Sequence, residues 1–174
     1  MDKKTIIFDL DGTLAIIDKR RIKAGSPSGK TPTPSKMDWD VFFDPDNIKL
    51  DEPNIPVIKM AQMFDNDGFN IVIFSGRNDR SFDATVGWLW DNKVPWDLLV
   101  MRPDKFKDKS WPIAKNNPAT PDMRFMPDEI LKKKMLDTFV DKDDVLMCVD
   151  DRQKVVDMWR ENGLTCFQVA PGNF

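Results

Sequence analysis

Apolar residues gather in five short continuous runs, Thr5–Phe8, Asn70–Phe74, Leu98–Met101, Val145–Val149 and Thr165–Val169, each bounded by Asp, Gly, Ser or Asn. Hydrophobicity that is continuous rather than alternating predicts strands buried on both faces, as in parallel sheets. Between the runs the spacing becomes helical. Val57, Ala61 and Phe64 recur at i, i+4, i+7 and stop before Gly68; Pro127-Asp128-Glu129 opens a segment carrying Leu131, Met135 and Phe139; Val155, Val156 and Trp159 mark another, closed by Gly163. A weaker helix is predicted from Ser81 to Asn92, where Gly87 lowers the propensity. Alternating strands and helices predict an α/β fold: a doubly wound, mostly parallel, five-stranded Rossmann-like sheet with helices on both faces.

Two segments break this rhythm. Ala24–Lys36 is rich in Pro, Gly, Ser and Lys, and Pro103–Pro121 carries several Pro and Lys. Both read as surface loops leaving the carboxyl ends of strands, where doubly wound sheets bind ligands, and they are expected to form a lid. Ala24-Gly25-Ser26-Pro27-Ser28-Gly29-Lys30-Thr31 matches a loosened phosphate-binding loop, but Pro32 and Pro34 follow where a helix should open, so it reads as a linker. Trp39, Phe42 and Phe43 have helical spacing that predicts packing of the loop onto the sheet; stacking on a base is the alternative.

A chain of 174 residues fits one domain, 1–174. Its net charge of −3 argues against wrapping a long duplex, which needs many Lys and Arg on phosphates. No run reaches the length of a membrane span, and the polar start runs directly into a strand rather than a signal peptide, so a cytoplasmic location is expected. Cys148 and Cys166 both fall in apolar strand-like runs and read as buried, reduced thiols. The chain has no His, which excludes His-based triads and His-ligated zinc and leaves carboxylates, Lys or Cys for acid–base work.

The chemistry therefore falls to the acids at the strand ends. Ile6-Ile7-Phe8-Asp9-Leu10-Asp11-Gly12-Thr13 places two carboxylates one residue apart where a Gly lets the backbone turn, so Asp9 and Asp11 can share one small volume. Val149-Asp150-Asp151 ends another strand; such a pair either binds a cation or caps the following helix. Carboxylates about 4 Å apart repel by roughly 4 kcal/mol at an effective dielectric of about 20, so four together require a cation, and oxygen-only ligands favour Mg²⁺.

The run hhhhDxDGT resembles motif I of the haloacid dehalogenase superfamily. Ser75-Gly76-Arg77 after its strand resembles motif II, Asp150-Asp151 motif IV, and Asp128-Glu129-Ile130-Leu131-Lys132, with the DxxxK spacing, motif III. Lys133 and Lys134 remain rivals for the motif III lysine. With Arg20, Val100-Met101-Arg102, Asp150-Asp151-Arg152 and the closing Thr165–Phe174 segment, nearly the whole chain resembles the phosphatase domain of bacteriophage polynucleotide kinase/phosphatase.

That resemblance implies a Mg²⁺-dependent polynucleotide 3′-phosphatase working through an aspartyl-phosphate; no large cap domain is expected, and where the chain departs from the family, small loop/helical insertions at 15–54 and 102–126 are expected over the active site. It implies Asp9 as nucleophile, Asp11 as acid/base, and Ser75, Gly76, Arg77 and Lys132 as phosphate binders. Arg20, Arg102 and Arg152 would contact substrate and Asp128 would orient Lys132. Asp9, Asp11 through its carbonyl, Asp150 and Asp151 would bind metal, leaving the Asp11 side chain free to gain a proton. Substrates are expected to be nucleic-acid 3′ ends, with free nucleotides, or nucleotide binding without catalysis, as alternatives. No membrane and no obligate protein partner are expected, and the linked kinase equipment has no counterpart in this chain.

Overall fold

A computed structural model describes residues 4–25, 37–103 and 121–172; most of both Pro-rich segments, including the loosened phosphate-loop match, falls outside these. The elements run β1 (Thr5–Phe8), β2 (Ala15–Ile16), α1 (Asp18–Lys23), α2 (Trp39–Phe42), β3 (Glu52–Pro53), α3 (Ile55–Asn66), β4 (Asn70–Asn78), α4 (Phe82–Asp91), β5 (Leu98–Arg102), α5 (Asp128–Phe139), β6 (Val145–Asp150), α6 (Gln153–Glu161) and β7 (Cys166–Gln168).

The five principal strands form one parallel sheet in the order β5-β4-β1-β6-β7. Strand β1 sits at its centre because the chain first builds outward through β4 and β5, then returns to the other side of β1 for β6 and β7. That reversal is the switch point at which open α/β sheets hold ligands, and beside it Asp9 directly follows β1 and Asp150 ends β6. Two apolar layers flank the sheet. Ile6, Phe8, Ile71 and Ile73 face α3 and α4, which supply Val57, Ile58, Ala61, Trp88 and Leu89. Ile7, Val72, Phe74 and Val100 face α5 and α6, which supply Leu131, Met135, Val155 and Trp159. Period-two alternation on both faces of each strand is what turned these runs into unbroken apolar sequence.

The structure modifies the sequence expectation in three places. The second sheet strand does not stop at Phe74: β4 continues to Asn78, with a register shift between Ser75 and Asn78 against β5. The helix expected from Ser81 starts at Phe82, after a 3-10 turn at Asp79–Ser81 whose Asn78 side chain accepts the Arg80 N–H. Beside the Ala24–Lys36 segment, most of which lies outside the described residues, the chain carries two elements the sequence did not mark, α1 and a 3-10 helix at Pro45–Leu50, along with α2, and β2 and β3 pair antiparallel. In α2, Trp39 stacks on Phe43 at 5.8 Å while Phe42 turns inward, so the aromatic cluster packs on itself. Cys148 and Cys166, partners in the β6–β7 register, are both buried and unbonded to each other.

Candidate active site

Asp9 follows the last residue of β1, where its backbone N–H still donates to Val149 O at 2.9 Å. Its carboxylate is gripped on both oxygens: Thr13 Oγ1 donates to Oδ2 at 2.8 Å and Lys132 Nζ to Oδ1 at 2.6 Å. Thr13 reaches back because Gly12, at φ +88°, reverses the chain. A Cβ on Gly12 would also collide with the Asp151 carboxylate, so this glycine lets the two acidic segments close together.

Of the three consecutive lysines, Lys132 is the one that points inward. It is 2% exposed and donates both to Asp9 and, at 2.9 Å, to Asp150 Oδ2. Lys133 pairs with Asp137 on the outer face of α5. Asp150 also accepts the Trp159 indole N–H at 3.3 Å and, on Oδ1, the Asp151 N–H at 3.0 Å, so its orientation is set by α6 and its own backbone. The Asp151 carbonyl is held by Gln168 Nε2 at 3.0 Å, and Gly172 O accepts the Gln153 N–H at 2.9 Å, which ties the segment after β7 to this corner.

Asp9, Asp150 and Asp151 are buried, and one oxygen from each lies within 4.8 Å of the others. Burial, together with Asp150 and Asp151, raises the Asp9 carboxyl against the opposing pull of Lys132. Burial and Asp150 likewise push Asp151 up to about 6. One lysine thus leaves the trio under-neutralised, and a hard divalent cation fits the charge, the oxygen donors and their spacing.

Asp11 is arranged differently. Its side chain does not stand free: Arg20 NH2 donates to Oδ1 at 2.6 Å, and Arg77 NH2 makes a short bond to the same oxygen. Burial would raise Asp11, but the two arginines outweigh it and hold the carboxyl well below the usual range. Arg20 and Arg77 are themselves buried and share a second carboxylate, Asp51, which the sequence did not mark. Arg77 is further anchored on Thr85 Oγ1 at 2.9 Å, and Arg20 lies over the Phe42 ring at 4.4 Å.

Ser75, expected at a strand end, lies within β4, with its hydroxyl accepting the Arg77 N–H at 3.1 Å. It is absent from the cavity wall, whereas Gly76 and Arg77 line it. Arg102 lines the cavity too, but its guanidinium serves as a tie: it donates to Gly76 O at 2.9 Å, Met123 O at 3.0 Å, Met126 O at 2.6 Å and Asp128. Asp128 accepts from Arg102 and, at 2.7 Å, from Arg152 rather than from Lys132, so its influence on Lys132 is through charge. Burial opposes its ionisation, yet Arg102, Lys132 and Arg152 together lower its carboxyl below the ordinary value.

Asp9, Asp11, Lys132, Asp150 and Asp151 border one cavity of about 420 Å³. Its outer wall comes from α2 and from the 3-10 turn at Pro121–Phe125, which contributes Arg124 and Phe125. Thr13, Asp51 and Thr85 are the site residues that sequence patterns did not single out; Thr13 alone had a signal, as the third residue of Asp-Gly-Thr.

Comparison with known proteins gives a consistent picture. The model of the polynucleotide kinase PNKP phosphatase domain matches residues 32–174. A chain in a solved Pnkp1/Rnl/Hen1 complex is 28% identical with a TM-score of 0.68, covering 99% of this chain and 48% of that one. A chain of the Pnkp1/Rnl/Hen1 RNA repair complex is also 28% identical, TM-score 0.66, with 99% and 44% covered. This chain thus spans about half the length of those relatives. A haloacid dehalogenase-like family hydrolase from Streptococcus pneumoniae, 13% identical, shares the fold at a TM-score of 0.59, with 95% of this chain and 83% of that one covered.

Proposed function

Since the chain belongs to the polynucleotide kinase PNKP phosphatase-domain family and is a phosphomonoesterase of the haloacid dehalogenase type, we propose that it removes terminal 3′-phosphates from nucleic acids through an aspartyl-phosphate. The observation that carries this reading is the grip on Asp9. Lys132 and Thr13 fix both oxygens of a buried carboxylate beside two further acids, at the floor of a cavity rimmed by arginines and aromatic rings. The RNA repair setting of one relative supports a nucleic-acid end as substrate.

In the first half of the reaction an Asp9 oxygen forms a bond to phosphorus as the bond to the 3′ oxygen breaks, and that oxygen takes the proton that Asp11, ionised between its arginines before substrate binds, gains as the charged phosphate arrives. In the second, water attacks phosphorus of the aspartyl-phosphate and gives its proton to Asp11 as the bond from phosphorus to the Asp9 oxygen breaks, which restores the Asp9 carboxylate and releases inorganic phosphate. Lys132 balances charge on Asp9 and on the phosphoryl oxygens, with Gly76 and Arg77 lining the cavity beside those oxygens and Ser75 holding the Arg77 N–H from behind. The residues fit Mg²⁺, which Asp9, Asp150, Asp151 and the Asp11 carbonyl would hold and which supplies Lewis-acid charge at the phosphoryl group. The insertions at 15–54 and 102–126, with Arg102 in the second, provide walls that receive the rest of the substrate, and Arg152, after β6, lines the same cavity; Arg20 acts from behind Asp11. No helix among the described residues is long and apolar enough to cross a membrane.

A cavity of this size also holds a single nucleotide. The decisive assay is phosphate release with Mg²⁺ from a 3′-phosphorylated oligonucleotide against 3′- and 5′-mononucleotides. Preference for the oligonucleotide is expected, with Asp9→Asn inactive on all three; preference for 5′-mononucleotides overturns the proposal.

A further inference from the structure

We propose that Asp51 is a positioning residue for this reaction: its buried carboxylate holds Arg20 and Arg77 so that both guanidinium groups meet one oxygen of Asp11 and leave the other free for the proton. The inference rests on the reading of Asp11 as the acid/base.

Three elements bring the cluster together. Arg20 comes from α1, Arg77 from the end of β4, and Asp51 from the residue after the 3-10 helix at Pro45–Leu50; all three side chains are fully buried. Arg20 Nε donates to Asp51 Oδ1 at 2.9 Å and Arg20 NH2 to Oδ2 at 3.0 Å; Arg77 NH2 donates to Oδ2 at 2.9 Å. The same two NH2 groups also donate to Asp11 Oδ1. Two cations and two anions make a neutral quartet in which each NH2 bridges the carboxylates. Without Asp51, two buried guanidinium groups would face Asp11 alone, and uncompensated buried charge drives rearrangement.

The bridging decides which Asp11 oxygen is used. Both donors fall on Oδ1, and no hydrogen bond to Oδ2 occurs among the described residues. Oδ2 is therefore the atom that can give a proton to the leaving oxygen and later take one from water. Release of the arginines from Asp51 lets them spread over both Asp11 oxygens and occupy Oδ2, because a guanidinium prefers the bidentate fork. Asp51 does not border the cavity and acts only through the arginines. Its own place is firm: its N–H donates to Ile48 O at 3.1 Å, and its carbonyl accepts the Trp88 indole N–H at 3.0 Å.

The test uses leaving groups. A 3′-phosphorylated oligonucleotide expels an alkoxide that needs the proton, whereas p-nitrophenyl phosphate expels a stable phenolate that does not. Asp51→Asn is expected to lower kcat about 100-fold on the oligonucleotide but less than about fivefold on p-nitrophenyl phosphate, with KM little changed. Asp51→Glu should recover most of the loss, and Asp51→Asn should add little to Asp11→Asn. Equal loss on both substrates, or an unchanged rate on the oligonucleotide, overturns the proposal. Should Asp51→Asn fail to fold, as judged by circular dichroism, Asp51→Ser, which also removes the buried anion, carries the same comparison. If the wild type ignores the oligonucleotide yet hydrolyses p-nitrophenyl phosphate, the substrate reading fails alone, and 2-glycerol phosphate replaces the oligonucleotide with the same two outcomes. If it hydrolyses neither, the Arg20 Nε–H resonance decides: slow exchange in the wild type, lost in Asp51→Asn, supports the clamp, and slow exchange in both overturns it.

Discussion

Lys132 and Asp9 lie 123 residues apart in sequence, yet the ammonium and carboxylate meet at 2.6 Å inside the sheet's switch point. The contact joins α5 to the end of β1, and through Asp150 it also reaches β6, so a single cation spans the two halves of the doubly wound sheet. Its removal leaves Asp9 and Asp150 buried and facing one another.

Lys132→Met is accordingly expected to cost about 3–5 kcal/mol, the range for breaking a buried pair by removing one partner, and to abolish turnover. Millimolar Mg²⁺ should recover part of the stability but none of the activity. Thermal unfolding with and without Mg²⁺, beside a phosphate-release assay, measures both; an unchanged melting temperature would remove Lys132 from the centre of the site.

Two glycines with similar backbone angles separate strain from crowding. Gly12 (φ +88°) and Gly163 (φ +79°) each lose about 1–2 kcal/mol when Ala is forced into a left-handed conformation, but only at Gly12 would the new methyl strike Asp151. Gly12→Ala should therefore weaken Mg²⁺ binding at least about tenfold, as expected for a displaced ligand, while Gly163→Ala leaves it unchanged. Mg²⁺ titration by isothermal calorimetry distinguishes them; equal affinities in the two variants would contradict the packing described.

The acid side of the stability curve should depend on Asp128. Burial raises its carboxyl, but Arg102, Lys132 and Arg152 bring it below its ordinary 3.8, so the unfolded chain binds the proton more readily than the folded one. Its contribution is fully present above about pH 4 and is lost as the pH falls through the lowered folded value. Asp128→Asn should reduce stability at pH 7, remove the Asp128 charge from beside Arg102 and Arg152, and flatten the decline below pH 4. Urea unfolding from pH 3 to 7 reads the two slopes.

The thiols should be silent in the folded protein. Burial, with nearby Cys166 and Asp150, raises Cys148 strongly, and burial with Asp150 pushes Cys166 up to about 12. Labelling by iodoacetamide at pH 8 is expected only on unfolding, since the thiolate is the reactive form. Rapid labelling of either cysteine in native conditions would show that the β6–β7 edge opens.

The strand and helix order was legible because buried parallel strands are unbroken apolar runs, and all five appear where Thr5–Phe8, Asn70–Phe74 and their successors lie. Asp9, Asp11 and the Asp150-Asp151 pair were legible because acids placed directly after such runs stand at the carboxyl ends of strands, where a parallel sheet opens its ligand crevice. Which of Lys132, Lys133 and Lys134 points inward depends on the helix phase set by Leu131, Met135 and Leu136, and three adjacent lysines do not reveal it. The length of β4 was hidden because Ser75 and Arg77 are polar residues kept inside by each other and by Thr85. Asp51 could not be read at all: nothing near Lys49-Leu50-Asp51-Glu52-Pro53 distinguishes it, and its meaning comes from two arginines that folding delivers.

The corner around Asp151 also bears on how the molecule comes into being. Gln168 and Gly172 brace this acid from the segment at and after β7, while Gly12, more than 150 residues earlier, admits it from beside β1. During translation the emerging polypeptide can form its central layers of sheet and helix early, but contacts of such long separation form late. Hydrolytic competence would then switch on abruptly with the docking of β7, and fragments cut before Gln168 would be folded in part and chemically inert.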